Sequence, residues 1–123
     1  MEDRLLEIFR RRESFMKSLG DSSGESMNWP LDLSKKENQQ HVRDMALRGV
    51  EEMFEALQHL KNWKPHRKTE ITEFDREEFL EEIVDAFNYF LSILVLTGFD
   101  DNDLIDAYRR KDKIINERLR TGY

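Results

Sequence analysis

Apolar residues recur along this chain in four blocks with helical rather than alternating spacing, and capping or breaking residues bound each block. The first block runs from about Asp3 to Leu19, carries Leu5, Leu6, Ile8, Phe9, Phe15, Met16 and Leu19, and stops at Gly20. Residues 20–33 mix Gly, Ser, Asp and Pro and read as a loop, in which Trp29-Pro30-Leu31 is apolar enough to tuck against the body. Ser34-Lys35-Lys36-Glu37 has capping-box spacing and opens a second helix that runs to about Leu60, ahead of Pro65. Its apolar stripe is Val50, Phe54 and Leu57, helped by Met53 and Leu60. After a polar connection over residues 61–74, Asp75-Arg76-Glu77-Glu78 caps a third helix that reaches about Thr97. Phe79, Ile83, Phe87, Phe90 and Leu94 form its predicted core face, and Gly98 sits where a left-handed cap is favoured. A fourth helix is predicted from about Asp101 to Leu119, with Leu104, Ile105, Tyr108, Ile115 and Leu119 inward, before the closing Gly122-Tyr123. Four helices with short links predict an all-α fold, a small four-helix bundle.

Composition supports that reading. A length of 123 residues suits one domain with its own core, and five glycines and two prolines are too few for an all-β or disordered chain. The absence of cysteine excludes disulfides, zinc–thiolate sites and thiol chemistry, as suits a reducing cytoplasm. The acidic start is unlike a secretory signal, and the apolar run near residues 89–99 is far short of the ~20 residues that span a bilayer. A soluble, cytoplasmic protein with no membrane partner is expected. A net charge of −6 argues against general nucleic-acid binding, although metal ions can reconcile such a surface with one small phosphate compound.

Two acidic clusters on consecutive predicted helices change the picture. Glu51-Glu52-Met53-Phe54-Glu55 and Glu82-Ile83-Val84-Asp85 each place two carboxylates three residues apart, hence on one helical face. Glu52 and Glu55 lie far around the helix from Val50, Phe54 and Leu57, as on a solvated surface; Glu82 and Asp85 border their apolar stripe. Carboxylates at a core margin are costly unless paired or metal-bound, and hard oxygen donors suit Mg²⁺. Both a solvated acidic face, as on a non-catalytic helical adaptor, and a Mg²⁺ site remain open on these residues. A di-iron site needs Glu-x-x-His, whereas Glu55 and His59 are four apart and the third helix has no histidine. His41, His59 and His66 do not pair at zinc-ligand spacing, so His59 is expected at the surface or a pocket edge. No phosphate-binding glycine loop or nucleophile elbow is present.

The pattern Glu51-Glu52-x-x-Glu55, a gap, then Glu82-x-x-Asp85 resembles the signature of the all-α nucleotide pyrophosphatases, the MazG-like and dimeric dUTPase superfamily. Three further elements resemble its dimeric dUTPase branch, phage members included: Lys61-Asn62-Trp63-Lys64, Asp85-Ala86-Phe87-Asn88-Tyr89-Phe90 with Asn88 in place of histidine, and the tail from Tyr108 to Tyr123. The likeness covers about Ser34 to the end, so residues 1–33 are expected as an N-terminal helix and loop and residues 34–123 as metal- and nucleotide-binding helices of the same domain.

The resemblance implies a homodimeric, Mg²⁺-dependent enzyme that hydrolyses a (deoxy)nucleoside triphosphate to monophosphate and pyrophosphate. It implies that Glu52, Glu55, Glu82 and Asp85 hold Mg²⁺ and that Glu51, with Glu52 and Glu55, forms the catalytic group, Glu51 supporting the site or orienting water. Lys61, Trp63, Asn88, Lys111, Asn116 and Arg118 become the candidate substrate-binding set, with Trp63 able to stack on a base. Anchoring the tail on Gly122-Tyr123 matches Lys111 and Arg118 to the family's phosphate ligands but puts Ile115 where asparagine belongs; another register groups Lys113, Asn116 and Arg120. The first helix has Arg10, Arg11 and Arg12 where the dUTPase branch commonly reads uracil with glutamine, so the base is left open.

Overall fold

Helix capping and helix-stopping glycines divide the chain into four helices: α1 (Arg4–Ser23), α2 (Lys36–Leu57), α3 (Arg76–Leu96) and α4 (Asp101–Thr121). The computed structural model describes residues 2–23, 28–66 and 73–122. Among them there is no strand, so the fold is all-α with the four helices a bundle requires. No helix is long and apolar enough to cross a membrane among the described residues.

The ends follow from local hydrogen bonding. Asp3 Oδ1 accepts from the Leu6 amide at 3.0 Å and starts α1, and Asp75 Oδ1 accepts from the Glu78 amide at 3.0 Å and starts α3. Asp100 and Asp103 form a reciprocal capping box at α4. Helix α3 ends as expected at Gly98, whose φ of 87° lets the Phe99 amide reach the Leu94 carbonyl and its own amide reach that of Val95. A Cβ on Gly98 would stand 2.8 Å from Pro30 Cβ, so glycine is required twice over.

Two expected ends are corrected. Helix α1 runs through a buried Gly20 to Ser23 instead of stopping there. Ser34 does not cap α2: its hydroxyl donates to Asp32 Oδ1 at 2.6 Å and its amide to the same oxygen at 3.0 Å. Those two hydrogen bonds hold the Asp32 carboxyl below its usual range. The cap residue is Lys35, and the entry is tied instead by Asn38 and Gln39 side-chain amides donating to the Asp32 and Leu33 carbonyls.

The chain forms two compact units, Met1–Pro30 with Leu94–Tyr123, and Leu31–Ile93. In the first, α1 packs with α4, Phe9 and Met16 are buried, and Trp29 is half-buried, with Lys17 Nζ 5.9 Å from its ring centre. In the second, α2 and α3 run antiparallel: Gly49 meets Tyr89 and Phe90, and ten residues further on His59 meets Phe79 and Glu82. Gly49, Ala56 and Ala86 are buried along these helices. A Cβ on Gly49 would lie 3.1 Å from Tyr89 Cβ and 3.2 Å from the Phe90 ring, so the backbones approach closely there.

That packing corrects the expected core faces. Val50, Phe54 and Leu57 are exposed, Phe54 at 59%, because α2 turns its Gly49–Ala56 side to α3. On α3, Phe79, Ile83 and Leu94 are half-buried, but Phe87 and Phe90 are exposed, and Ala86, Leu91, Ser92, Val95 and Leu96 are the buried positions. On α4, Leu104 and Ile105 are half-buried while Tyr108, Ile115 and Leu119 stand in the open. Gly49→Leu is expected to wedge α2 from α3 and to cost ~1–3 kcal/mol, the usual size of overpacking. Urea unfolding checks this, and unchanged stability would contradict a close crossing at that position.

Candidate metal centre

The small residues that bring α2 to α3 also carry carboxylates into the space beside them. Gly49, Glu52, Met53, Ala56 and His59 recur at three- and four-residue steps, one face of α2 continued into the turn that follows it. Glu52 and Met53 are half-buried there, whereas Glu51 and Glu55 are exposed at its edge. On α3, Glu82 and Ile83 are half-buried one turn before Ala86, and Asp85 is exposed. Of the α2 carboxylates, Glu52 therefore lies on the α3-facing side, and Glu51 and Glu55 remain exposed.

The electrostatics follow from that arrangement. Partial desolvation pushes the Glu52 carboxyl above its usual range, and the charges of Glu55 and Asp85, a hydrogen bond with Glu55 and the charge of Glu82 push it further the same way. Glu52 thus feels every other member of the predicted Mg²⁺ quartet. Ionising all four without a cation is unfavourable.

Glu82 has a second set of neighbours. His59, in the turn after α2, brings Nε2 to 2.8 Å from Glu82 Oε2, with both side chains about one-quarter exposed or less, at 21% and 24%. Glu82 Oε2 is itself out of solvent and faces the imidazole nitrogen as an ion pair, charged when His59 is protonated, without a well-aligned hydrogen bond. Phe79 holds the imidazole edge-on, with ring centres 6.2 Å apart and planes at 69°, and Phe74 packs on Phe79 at 5.3 Å. Glu78, one turn before Glu82 and exposed, completes a group of three ligand atoms within 4.8 Å of one another. This His/Glu/Glu group can coordinate a metal ion, and it is the one such group among the described residues.

His59 is therefore no bland pocket-edge residue. Its partners lie on α3, so ligand spacing along its own helix could not reveal them. The signal available in the sequence was the phase of His59: ten residues after Gly49 and seven after Glu52, it continues the same helical face.

The predicted substrate-binding residues are divided between the two compact units. Lys61 and Trp63 line an open pocket of about 710 Å³ with Phe54, Leu57, Gln58 and Leu60. Trp63 is 69% exposed, with Lys64 Nζ 5.4 Å from its ring centre. Asn88 is half-buried on α3, one turn after Asp85. Lys111, Asn116 and Arg118 are exposed on α4, in the other compact unit, where Asn116 Nδ2 donates to the Asp112 carbonyl at 2.9 Å.

Comparison with known proteins finds no family model that matches the chain, no matching curated protein and no matching solved structure.

The raised Glu52 carboxyl fixes the sign of a pH effect. The unfolded chain ionises Glu52 in the ordinary carboxylate range and the folded chain only above it, so this contribution to stability is lost as pH rises through that window. In metal-free buffer near neutral pH, Glu52→Gln is expected to melt above the parent, and the two should converge in acid. A melting temperature below the parent at neutral pH would contradict the repulsion.

Proposed function

We propose that the protein is a Mg²⁺-dependent nucleoside triphosphate pyrophosphatase that works as a homodimer. What supports this reading is Glu52, half-buried on the α3-facing side of α2, whose carboxyl is raised by desolvation and then by the charges of Glu55, Asp85 and Glu82. The donor set fits the ion: four carboxylates, mutually repelling, supply the hard oxygens that Mg²⁺ prefers while leaving room for water and phosphate. The likeness of Glu51-Glu52-x-x-Glu55 and Glu82-x-x-Asp85 to the all-α nucleotide pyrophosphatase signature points the same way.

Glu52, Glu55, Glu82 and Asp85 would hold the metal. When bound there, Mg²⁺ supplies charge neutralisation at the substrate's phosphates and lowers the pKa of coordinated water. Glu51, exposed on α2 next to Glu52 in sequence, is assigned from the resemblance to support the site or orient the attacking water. Lys61 and Trp63 offer the substrate a cation and an aromatic face beside an apolar pocket. Lys111, Asn116 and Arg118 are assigned to phosphate binding from the sequence resemblance alone. Deoxyuridine triphosphate is the leading substrate, with another pyrimidine or a damaged deoxynucleotide second.

The homodimer is supported by the apolar side chains a single chain leaves in water. Val50, Phe54 and Leu57 form an uncovered stripe on α2, exposed Leu60 follows just past its end, and Ile115 and Leu119 stand open on α4. Contiguous apolar surface of that kind marks an interface, and a second copy offers the matching stripe under two-fold symmetry.

Two expected outcomes test the reading. Glu52→Gln and Asp85→Asn should each lower Mg²⁺-dependent pyrophosphate release from a panel of nucleoside triphosphates on the order of 10²-fold or more, the scale of losing one preorganised electrostatic group. Turnover untouched in both, with helical content intact, would leave a helical adaptor with solvated acidic faces as the better account. Phe54→Glu combined with Leu57→Glu should convert a sedimenting dimer into monomers; a monomeric parent would remove the dimer from the proposal.

A further inference from the structure

We propose that His59, Glu78 and Glu82 form a site for a first-row divalent transition ion, with Zn²⁺ as its preferred redox-inert occupant. We further propose that this site and the Glu52 carboxylate group compete for Glu82. The first half stands on the triad alone; the second rests on the pyrophosphatase reading.

The donor set selects the ion. Mg²⁺ is held by oxygens, whereas imidazole nitrogen favours the later first-row ions, and affinity for mixed nitrogen and oxygen sites rises from Mn²⁺ towards Cu²⁺ and Zn²⁺. Bonds of about 2.0–2.2 Å put neighbouring ligand atoms of a tetrahedral Zn²⁺ roughly 3.4 Å apart. His59 Nε2 and Glu82 Oε2 stand 2.8 Å apart, an ion pair when the imidazole is protonated. A neutral imidazole and the carboxylate need to part by only roughly 0.6 Å to become neighbouring ligands of one ion.

The site is built before any ion arrives. Phe79 fixes the imidazole plane from α3, and Phe74 backs Phe79. Glu78 and Glu82 stand one helical turn apart on the same face of α3. The oxygen of Glu82 that faces His59 is out of solvent and accepts no well-aligned hydrogen bond, so a cation there, protonated imidazole or metal ion, offsets the cost of burying its charge. Glu78 is exposed, which gives an ion a way in and leaves positions for water.

Glu82 couples this site to its neighbour. It lies within 4.8 Å of the His59 and Glu78 ligand atoms, and the pyrophosphatase reading assigns the same carboxylate to the Mg²⁺ quartet. An ion on the histidine side draws the Glu82 charge away from Glu52, Glu55 and Asp85. Zn²⁺ would then act as an inhibitor of Mg²⁺-supported hydrolysis.

The test uses the full chain stripped of metal, with Zn²⁺ followed by calorimetry and Co²⁺ by visible absorption. One Zn²⁺ per chain is expected. His59→Gln and Glu78→Gln should each weaken it at least ~10-fold, the loss seen even when only a supporting partner of a ligand is removed. Glu55→Gln should keep the parent's Zn²⁺ affinity, with far-UV circular dichroism equal across the set. Should His59→Gln not fold, Glu78→Gln on the exposed helix surface decides alone. No binding to the parent, affinity unchanged by loss of the triad ligands, or equal weakening in Glu55→Gln would each overturn the site. In the hydrolysis assay Zn²⁺ should inhibit the parent more strongly than Glu78→Gln. Equal inhibition, or none, overturns the competition for Glu82. A parent with no Mg²⁺-dependent release at all counts against the pyrophosphatase reading and leaves the binding result standing.

Discussion

Where α2 passes α3, Gly49 leaves so little room that a single added carbon would press on Tyr89 and Phe90. Two helices held that close present to each other whatever lies beside the small residues. On α2 that is Glu52 and, one turn past Ala56, His59; on α3 it is Glu82. Negative charge is thereby carried into a partly desolvated seam, and Glu52 answers with a raised carboxyl. The acidic centre is a consequence of the packing that creates it, not an ornament on a finished core.

The same packing has a second consequence. A helix has one circumference, so a face given to Glu52 and its small neighbours cannot also be given to Val50, Phe54 and Leu57. Those apolar residues are left outward on the chain. The proposed cation site and the proposed dimer thus both start from one geometric choice on α2. The pocket lined by Phe54, Leu57, Lys61 and Trp63 lies where that outward stripe ends.

Much of the fold was legible in the chain. Helical periodicity placed all four helices, Asp75 and Gly98 marked the ends of α3 through local hydrogen bonding alone, and the capping signals at α4 are equally local. What failed was the inward face of α2 and parts of those of α3 and α4, whereas Phe9, Met16, Phe79, Ile83, Leu94, Leu104 and Ile105 are buried or half-buried as expected. The hydrophobic stripe is a sound guide when a chain buries its apolar surface within itself, and Phe54, Phe87 and Leu119 are exposed here. Ser34 failed for a related reason: its capping-box spacing was real, but Asp32, two residues before it, competed for the hydroxyl and won. Spacing singled out Glu52, Glu55, Glu82 and Asp85, three apart within each helix, and of these Glu82 alone belongs to the group whose ligand atoms converge. His59 was missed because its partners Glu78 and Glu82 come from another helix, a relation that only tertiary pairing supplies.

The central claim is that four carboxylates share one field across the α2–α3 seam and that a divalent cation relieves it. Carboxyl carbon chemical shifts of Glu52, followed by NMR against pH with and without Mg²⁺, test it most directly. The account predicts a midpoint above the ordinary glutamate range in metal-free protein and a clear drop when Mg²⁺ is added. A Glu52 that titrates like an isolated glutamate, indifferent to Mg²⁺, would contradict it.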